Sequence, residues 1–291
     1  MSRAVLGIIG GSGVYDLPGL ADLREEAVGT PWGDPSDVLR FGRIGETSIV
    51  FLPRHGRGHR LSPSDINYRA NIDAMKRAGV TDLVSLSACG SFKPDLQPGL
   101  FVLVDQFVDR THRRESSFFG AGCVAHVSMA HPVGPGLVAR LAAAAEKESV
   151  ACRRGGTYVC MEGPQFSSYA ESNTYRHLGY DVIGMTAMPE AKLAREAEIT
   201  YATLAMVTDF DCWHPEHDAV DVADVIKVMH RNTEKARRVV ARLAADFPRE
   251  REDCPAGSHK ALDTAIMTAP SARDPALLAK LDAVAGRVLG H

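Results

Sequence analysis

No apolar run in this 291-residue sequence is long enough to cross a bilayer. Its start, MSRAVLGIIGGSG, lacks the hydrophobic region and small-residue cleavage site of a signal peptide. Neither a membrane partner nor export is therefore expected. The six cysteines, Cys89, Cys123, Cys152, Cys160, Cys212 and Cys254, form no CxxC pair and no zinc-ligand cluster, so no metal is expected. Scattered thiols in a chain of enzyme size point to a reducing cytoplasm, with one disulfide still open. An excess of positive charge is missing too: the net charge is −3 and the pI about 6.4, which argues against nucleic acid as a partner. Repeats and low-complexity linkers are absent. The turn Gly10-Gly11-Ser12-Gly13 completes no nucleotide fingerprint, because from Gly11 the third glycine would fall at Asp16 and no Walker lysine follows.

What is present reads as a globular enzyme. Apolar residues make up 45% and charged residues 24%, an ordinary balance for one large domain or two small ones. Buried-strand patterns alternate with helical ones. Strands are expected at residues 4–9, 81–88, 99–110, 181–189 and 200–213, and a strand pair ends at Arg54. Helices are expected from about Ser64 to Gly79, over 134–150, 167–179 and 189–198, and as one long amphipathic helix from Val222 to Phe247. This alternation predicts an α/β fold, a sheet with helices on both faces. Residues 1–250 read as the catalytic domain. Residues 251–291, with short helical pieces at 261–267 and 275–289, read as an extension packed on that domain or on a neighbouring subunit.

The stretch TYATLAMVTDFDCW, residues 200–213, carries Asp209 and Asp211 at the end of an apolar strand. Were the strand to continue through both, the two carboxylates would face one way at its carboxyl end, where open α/β sheets keep their ligands. Other candidates collect at strand ends: Ser12 in the glycine turn, Arg54 with His55, Ser87-Ala88, and Thr186. Residues 54–68 interleave Arg and His with glycines, either as a solvated basic loop or as a phosphate loop. Hydroxyls, N–H groups and positive charge suit a tetrahedral oxyanion, whereas the two carboxylates offer acceptors or a proton. An anion cradle facing an acid suggests phosphorolysis, in which phosphate attacks an electrophilic carbon while an acid assists the leaving group.

The motifs GIIGGSGVYD, PRHGRGH, NYRANI, SACGS, DQFVDRT, MEGPQFSSYAES, GMTAMPEAKLAREA and TDFDCW follow in order from residue 7 towards residue 232. Together they resemble the trimeric branch of the purine nucleoside phosphorylase and methylthioadenosine phosphorylase family. The resemblance implies a single-domain nucleoside phosphorylase-like fold with a central mixed β-sheet. It also implies phosphorolysis of 5′-methylthioadenosine to adenine and 5-methylthioribose 1-phosphate, with inorganic phosphate as co-substrate and no cofactor. By position, Ser12, Arg54, His55, Ser87, Ala88 and Thr186 would bind phosphate, and Met185 would pack under the ribose. Phe166 would cover the purine, and Asp209 and Asp211 would read it, with Asp209 as proton donor to N7. Val222 would line the pocket for the 5′-substituent, which His126 would reach from an adjacent subunit of a homotrimer or a dimer of trimers.

Specificity follows from two positions. Family members acting on inosine and guanosine carry Glu after the aromatic residue of the GP motif and Asn at the purine-reading position, where this chain has Ser167 and Asp209. A carboxylate accepts from a 6-amino group and repels a 6-oxo group, so adenine is expected over hypoxanthine. The competing readings are a 6-oxopurine nucleoside phosphorylase, a nucleosidase that uses water, and a non-catalytic nucleoside-binding protein on the same fold.

Overall fold

Side chains along the first strand, β1 (Val5–Gly10), alternate between two apolar clusters: Leu6 and Ile8 enter one, Ile9 the other. A strand buried on both faces must be covered by helices on both, and that requirement sets the architecture. The computed structural model describes residues 2–11, 17–214 and 222–290. After β1 come β2 (Ala21–Glu26), β3 (Leu39–Ile44), β4 (Thr47–Pro53), α1 (Tyr68–Arg77), β5 (Asp82–Ser91), β6 (Phe101–Leu103) and β7 (Gln106–Asp109). The chain continues through α2 (Pro135–Lys147), β8 (Cys152–Arg154), β9 (Thr157–Cys160), α3 (Tyr169–His177), β10 (Val182–Gly184), α4 (Ala187–Glu196) and β11 (Thr200–Asp209). It ends with α5 (Val222–Ala245), α6 (Pro275–Lys280) and α7 (Asp282–Leu289).

The sheet is mixed. β1 lies between β4 and β5, parallel to both, and the edge β2–β3–β4 is antiparallel. β5 is the hub: it pairs with β1 and with β11 in parallel, and near its carboxyl end with β10 in antiparallel. β11 repeats the alternation of β1, with Tyr201, Ala205 and Val207 on one face and Ala202, Leu204 and Met206 on the other. The first face is covered by α1, α4 and α7, which contribute Ile72, Met75, Leu193 and Val284, and the second by α2 and α5 through Leu141, Val239 and Leu243. Each such side chain contributes about 1.5–3 kcal/mol on burial.

Several elements differ from the sequence expectations. The strand expected over 99–110 is two strands with different neighbours, because the chain leaves β6 beside β11 and joins β7 to β9. The first long helix begins at Tyr68, not near Ser64, because Asn67 caps it by accepting from the Ala70 N–H. Residues 261–267 form turns instead of a helix, and Ile266 bridges to Ala125. The last helical stretch breaks at Leu281 into α6 and α7.

Segment 251–290 lies on the body of its own chain. Its anchor is Glu198, a buried residue just before β11. The Glu198 carboxylate accepts from Arg287 Nε at 2.7 Å, Arg287 Nη2 at 2.6 Å and the Leu262 N–H at 3.0 Å. Farther along, the Ala265 carbonyl accepts from the His126 N–H at 2.9 Å, and the Met267 N–H donates to the Val124 carbonyl at 2.8 Å.

Candidate active site

The carboxyl ends of β1, β4, β5, β10 and β11 open into one cavity of about 520 Å³. That size is typical of a small-molecule site. Of the residues singled out in the sequence, Arg54, His55, Ser87, Ala88, Phe166, Met185, Thr186, Asp209 and Asp211 all line it. Ser12 lies outside the described residues. Ser167 stands behind the wall, its carbonyl accepting from the Cys212 thiol and its hydroxyl close to the Met161 sulfur, and Met161 itself lines the cavity. His126 is not part of the lining. Val222 opens α5 largely exposed and also stands outside it, while Val225 and Met229, one and two turns on, form the apolar wall. A helix of 24 residues is about 36 Å long, so α5 walls the cavity with its first turns and packs into the core with its last.

Arg54 ends up fully buried because β4 carries it beneath the sheet's edge, onto Glu190 of α4. Its Nε and Nη2 donate to the two Glu190 oxygens at 2.7 and 3.0 Å, Nη2 reaches Ser85 Oγ at 2.6 Å, and Nη1 donates to the Leu86 carbonyl at 3.0 Å. Tyr201 closes the network by donating its hydroxyl hydrogen to Glu190 at 2.9 Å. Burial alone would lower the Arg54 pKa, but the Glu190 charge outweighs it and holds the guanidinium above its ordinary value. Glu190 thus already neutralises the buried Arg54 charge. Nη1 keeps a second hydrogen for a ligand. Beside it, the Ser87 hydroxyl is 2.9 Å from the hydroxyl of Tyr158, which is packed so closely over Gly184 that any Cβ there would overlap it.

The acid pair is arranged differently from two residues of one strand. β11 ends at Asp209, and Asp211 sits in a turn with φ of +55°. The turn still brings both to the cavity, and it ties them together: the Asp211 N–H donates to Asp209 Oδ1 at 2.8 Å, while the Thr208 hydroxyl donates to Asp209 Oδ2 at 2.7 Å. Asp209 is thereby fixed in orientation. Asp211 Oδ2, by contrast, is buried without a hydrogen-bond partner, which is costly unless a ligand donates to it or it carries a proton. Burial raises the pKa of both carboxyls; for Asp211 the neighbouring Ser172 hydroxyl opposes that rise and the nearby Asp209 charge adds to it. Gly90 makes room for the pair, since a Cβ there would stand 2.8 Å from Asp209 Oδ1.

Two supporting residues have no distinguishing mark in the sequence. Glu190 follows Pro189 in an ordinary helical pattern. Arg114 lies in an irregular loop beside Arg110 and Arg113, yet its side chain is buried. It donates from Nη1 to the Met185 and Met188 carbonyls at 2.6 Å each, and from Nη2 to the Glu162 carbonyl at 2.7 Å. It therefore pins the Met185–Thr186 wall to the segment leading to Phe166. Glu162, which also accepts from Ser64 Oγ and the His112 N–H, is drawn down to about 2 by those donors and Arg114, against its burial. Among the described residues, no three His, Cys, Asp or Glu side chains are grouped to hold a metal ion.

Comparison with known proteins gives a consistent answer. The family model described as the phosphorylase superfamily matches residues 5–245. An S-methyl-5′-thioadenosine phosphorylase of Bradyrhizobium diazoefficiens is 74% identical over 289 residues, covering 99% of each chain. Among solved structures, a methylthioadenosine phosphorylase from an antarctic soil metagenomic library superposes with a TM-score of 0.91 at 46% identity, covering 98% of this chain and 99% of that one. The methylthioadenosine phosphorylase of Schistosoma mansoni, solved in complex with adenine, gives a TM-score of 0.78 at 37% identity over 84% of this chain and 91% of the other.

Proposed function

The chain belongs to the phosphorylase superfamily, and from that premise we propose that it catalyses the reversible phosphorolysis of 5′-methylthioadenosine to adenine and 5-methylthioribose 1-phosphate. The observation that carries this reading is a single cavity holding a buried Arg54 among hydroxyl donors together with the linked carboxyls of Asp209 and Asp211. Phosphate is the co-substrate, and no cofactor is invoked.

Arg54 Nη1, His55, the Ser87 hydroxyl, Ala88 and Thr186 hold the phosphate, with Ser12 assigned to the same cradle by the family motif. Met185 packs against the ribose and Phe166 covers the purine. Breaking the N-glycosidic bond builds positive charge on the sugar and negative charge on the base. Phosphate stabilises the first, and a proton delivered to N7 stabilises the second. Asp209, its pKa raised by burial, carries that proton, and Thr208 with the Asp211 N–H keeps it aimed. The unpartnered Asp211 Oδ2 accepts from the 6-amino group, so a 6-oxopurine would leave it unsatisfied. Val225 and Met229 add an apolar surface suited to a methylthio group.

The functional unit is proposed to be a homotrimer in the cytoplasm. His126 stands beside the exposed Val124 and Met267, 38% and 66% accessible, an apolar edge suited to a neighbouring subunit whose 5′ pocket His126 would complete. The six cysteines are all free thiols, in keeping with a reducing compartment. Assaying methylthioadenosine, adenosine and inosine with and without phosphate tests the activity. Phosphate-dependent adenine release, fastest from methylthioadenosine, is expected; inosine as best substrate, or release indifferent to phosphate, would overturn it.

A further inference from the structure

His55 sits in the cavity wall with one ring nitrogen already committed. Its Nδ1 is 2.9 Å from the Leu61 carbonyl oxygen, which can only accept, so Nδ1 carries the ring hydrogen. The ring lies flat on His59, with centroids 4.1 Å apart, and the charges facing it are the Arg54 and Arg114 guanidiniums. Burial first, then the neighbouring Arg54 charge, pushes the His55 pKa down to about 4, so at neutral pH the ring is uncharged. A neutral ring with its hydrogen on Nδ1 presents a bare lone pair at Nε2. Arg54 Nη1 and the Thr186 hydroxyl, which line the same cavity, have hydrogens to give, while the Ser87 hydroxyl donates to the Ala88 carbonyl at 3.1 Å and gives to a ligand only by turning. Among the described residues assigned to the anion, His55 Nε2 is thus the acceptor that has no hydrogen to offer.

We propose that His55 Nε2 accepts the hydroxyl hydrogen of hydrogen phosphate, and that this bond lets the site discriminate phosphate from oxyanions of the same shape and charge that carry no hydrogen. The inference rests on the phosphorolysis reading and assigns His55 as its anion-specificity residue. Near neutral pH the phosphate dianion keeps one P–OH. Sulfate and monofluorophosphate are tetrahedral dianions without one. Either would set an oxygen or fluorine lone pair against the Nε2 lone pair and leave a buried acceptor unpaired, weakening binding by about 10- to 100-fold. With Glu190 already neutralising Arg54, net charge alone offers little reason to prefer one dianion over another.

Calorimetric titration of the full chain with inorganic phosphate, sulfate and monofluorophosphate, at mildly alkaline pH of about 8 where the ring stays neutral, measures the three Kd values. Phosphate is expected to bind about 10-fold or more tighter than either analogue. The variant His55→Asn places its amide N–H where Nδ1–H was, keeping the Leu61 anchor while removing Nε2. Phosphate binding should weaken in it while sulfate does not, so that the ratio collapses. His55→Gln, whose amide reaches the Nε2 position and can donate, should improve sulfate relative to phosphate. Equal Kd values in the native protein, or a ratio unchanged in His55→Asn, would overturn the inference while phosphate-dependent turnover still stood. Turnover indifferent to phosphate would overturn the phosphorolysis reading and this inference together.

Discussion

Arg54 Nε donates to Glu190 Oε2 at 2.7 Å across 136 residues of sequence, and both side chains are shut off from solvent. The pair adds little to stability as such, since two charges taken out of water regain little net energy from each other; in the proposed function its part is to aim the guanidinium at phosphate. Removing one partner is another matter. Glu190→Gln leaves the Arg54 charge buried and uncompensated, which costs about 3–5 kcal/mol. Thermal unfolding should shift down by roughly 6–20 °C for a chain of this size, and phosphate Kd should rise because the guanidinium loses the fork that aims it. Arg54→Ala should destabilise similarly and abolish tight phosphate binding. A melting temperature within a degree or two of the native one in Glu190→Gln would refute the role given to the pair.

Much of this was legible in the sequence, for physical reasons. Strands such as β1 and β11 are buried on both faces, so they read as continuous apolar runs. The site residues gather where those runs stop. What could not be read was which polar residues go inside. Nothing local distinguishes Arg114 from Arg113, because an irregular loop has no periodicity to say which side faces the core. Glu190 occupies a helix face that would have been solvated had α4 packed differently. Asp211 shares the cavity with Asp209, as expected, but the alternation rule is not the reason: a left-handed turn after the strand puts it there.

Arg114 holds three carbonyls, of which that of Met185 belongs to the cavity wall, and a lysine could serve only part of that geometry. Each buried carbonyl left without a donor costs about 1–3 kcal/mol. Arg114→Met is expected to lose about 2–4 kcal/mol of stability and to raise the nucleoside KM more than the phosphate KM, because Met185 and the Phe166 segment lose their tie. Arg114→Lys should fall between. Denaturant unfolding and steady-state kinetics on the same preparations check both parts; an unaltered nucleoside KM in a folded Arg114→Met would show that the clamp does not position the site.

Glu196 supplies a pH prediction. Its carboxylate accepts from the Ser117 hydroxyl and the Phe118 N–H at 2.7 Å each, and burial, opposed by those bonds, raises its pKa from an ordinary 4.5 to about 7. Between those two values the folded state holds a proton that the unfolded state has released. Its stabilising contribution is therefore complete below pH 4.5 and is lost as pH rises through about 7, at most about 3 kcal/mol in all. Glu196→Gln keeps an acceptor for the Phe118 N–H and an N–H for Ser117 without the charge. The pH dependence of urea unfolding should be flatter in the variant across that window, and the variant should be the more stable protein at pH about 8. Parallel curves for the two proteins would rule this out.

Asp209 is held from both oxygens, by the Asp211 N–H and by Thr208, so substitution by the isosteric Asn can keep one of these bonds and must lose or reverse the other. An amide cannot deliver the proton that a raised carboxyl delivers to N7, and loss of general acid help lowers turnover by about 10²–10⁴-fold. The same amide is the residue that inosine- and guanosine-cleaving family members carry at this position, and it can donate to a 6-oxopurine. Asp209→Asn should therefore lose most of its kcat with methylthioadenosine and gain in the ratio of inosine to adenosine turnover. Asp211→Asn, which leaves Asp209 and its proton in place, should mainly raise the KM for aminopurine nucleosides. The pH profile separates the two roles. In the native enzyme kcat/KM should fall as pH rises past the elevated carboxyl pKa, because the protonated acid is the active form; Asp211→Asn should keep that limb and Asp209→Asn should lose it. Were the alkaline limb to survive in Asp209→Asn and vanish in Asp211→Asn, the proton would belong to Asp211.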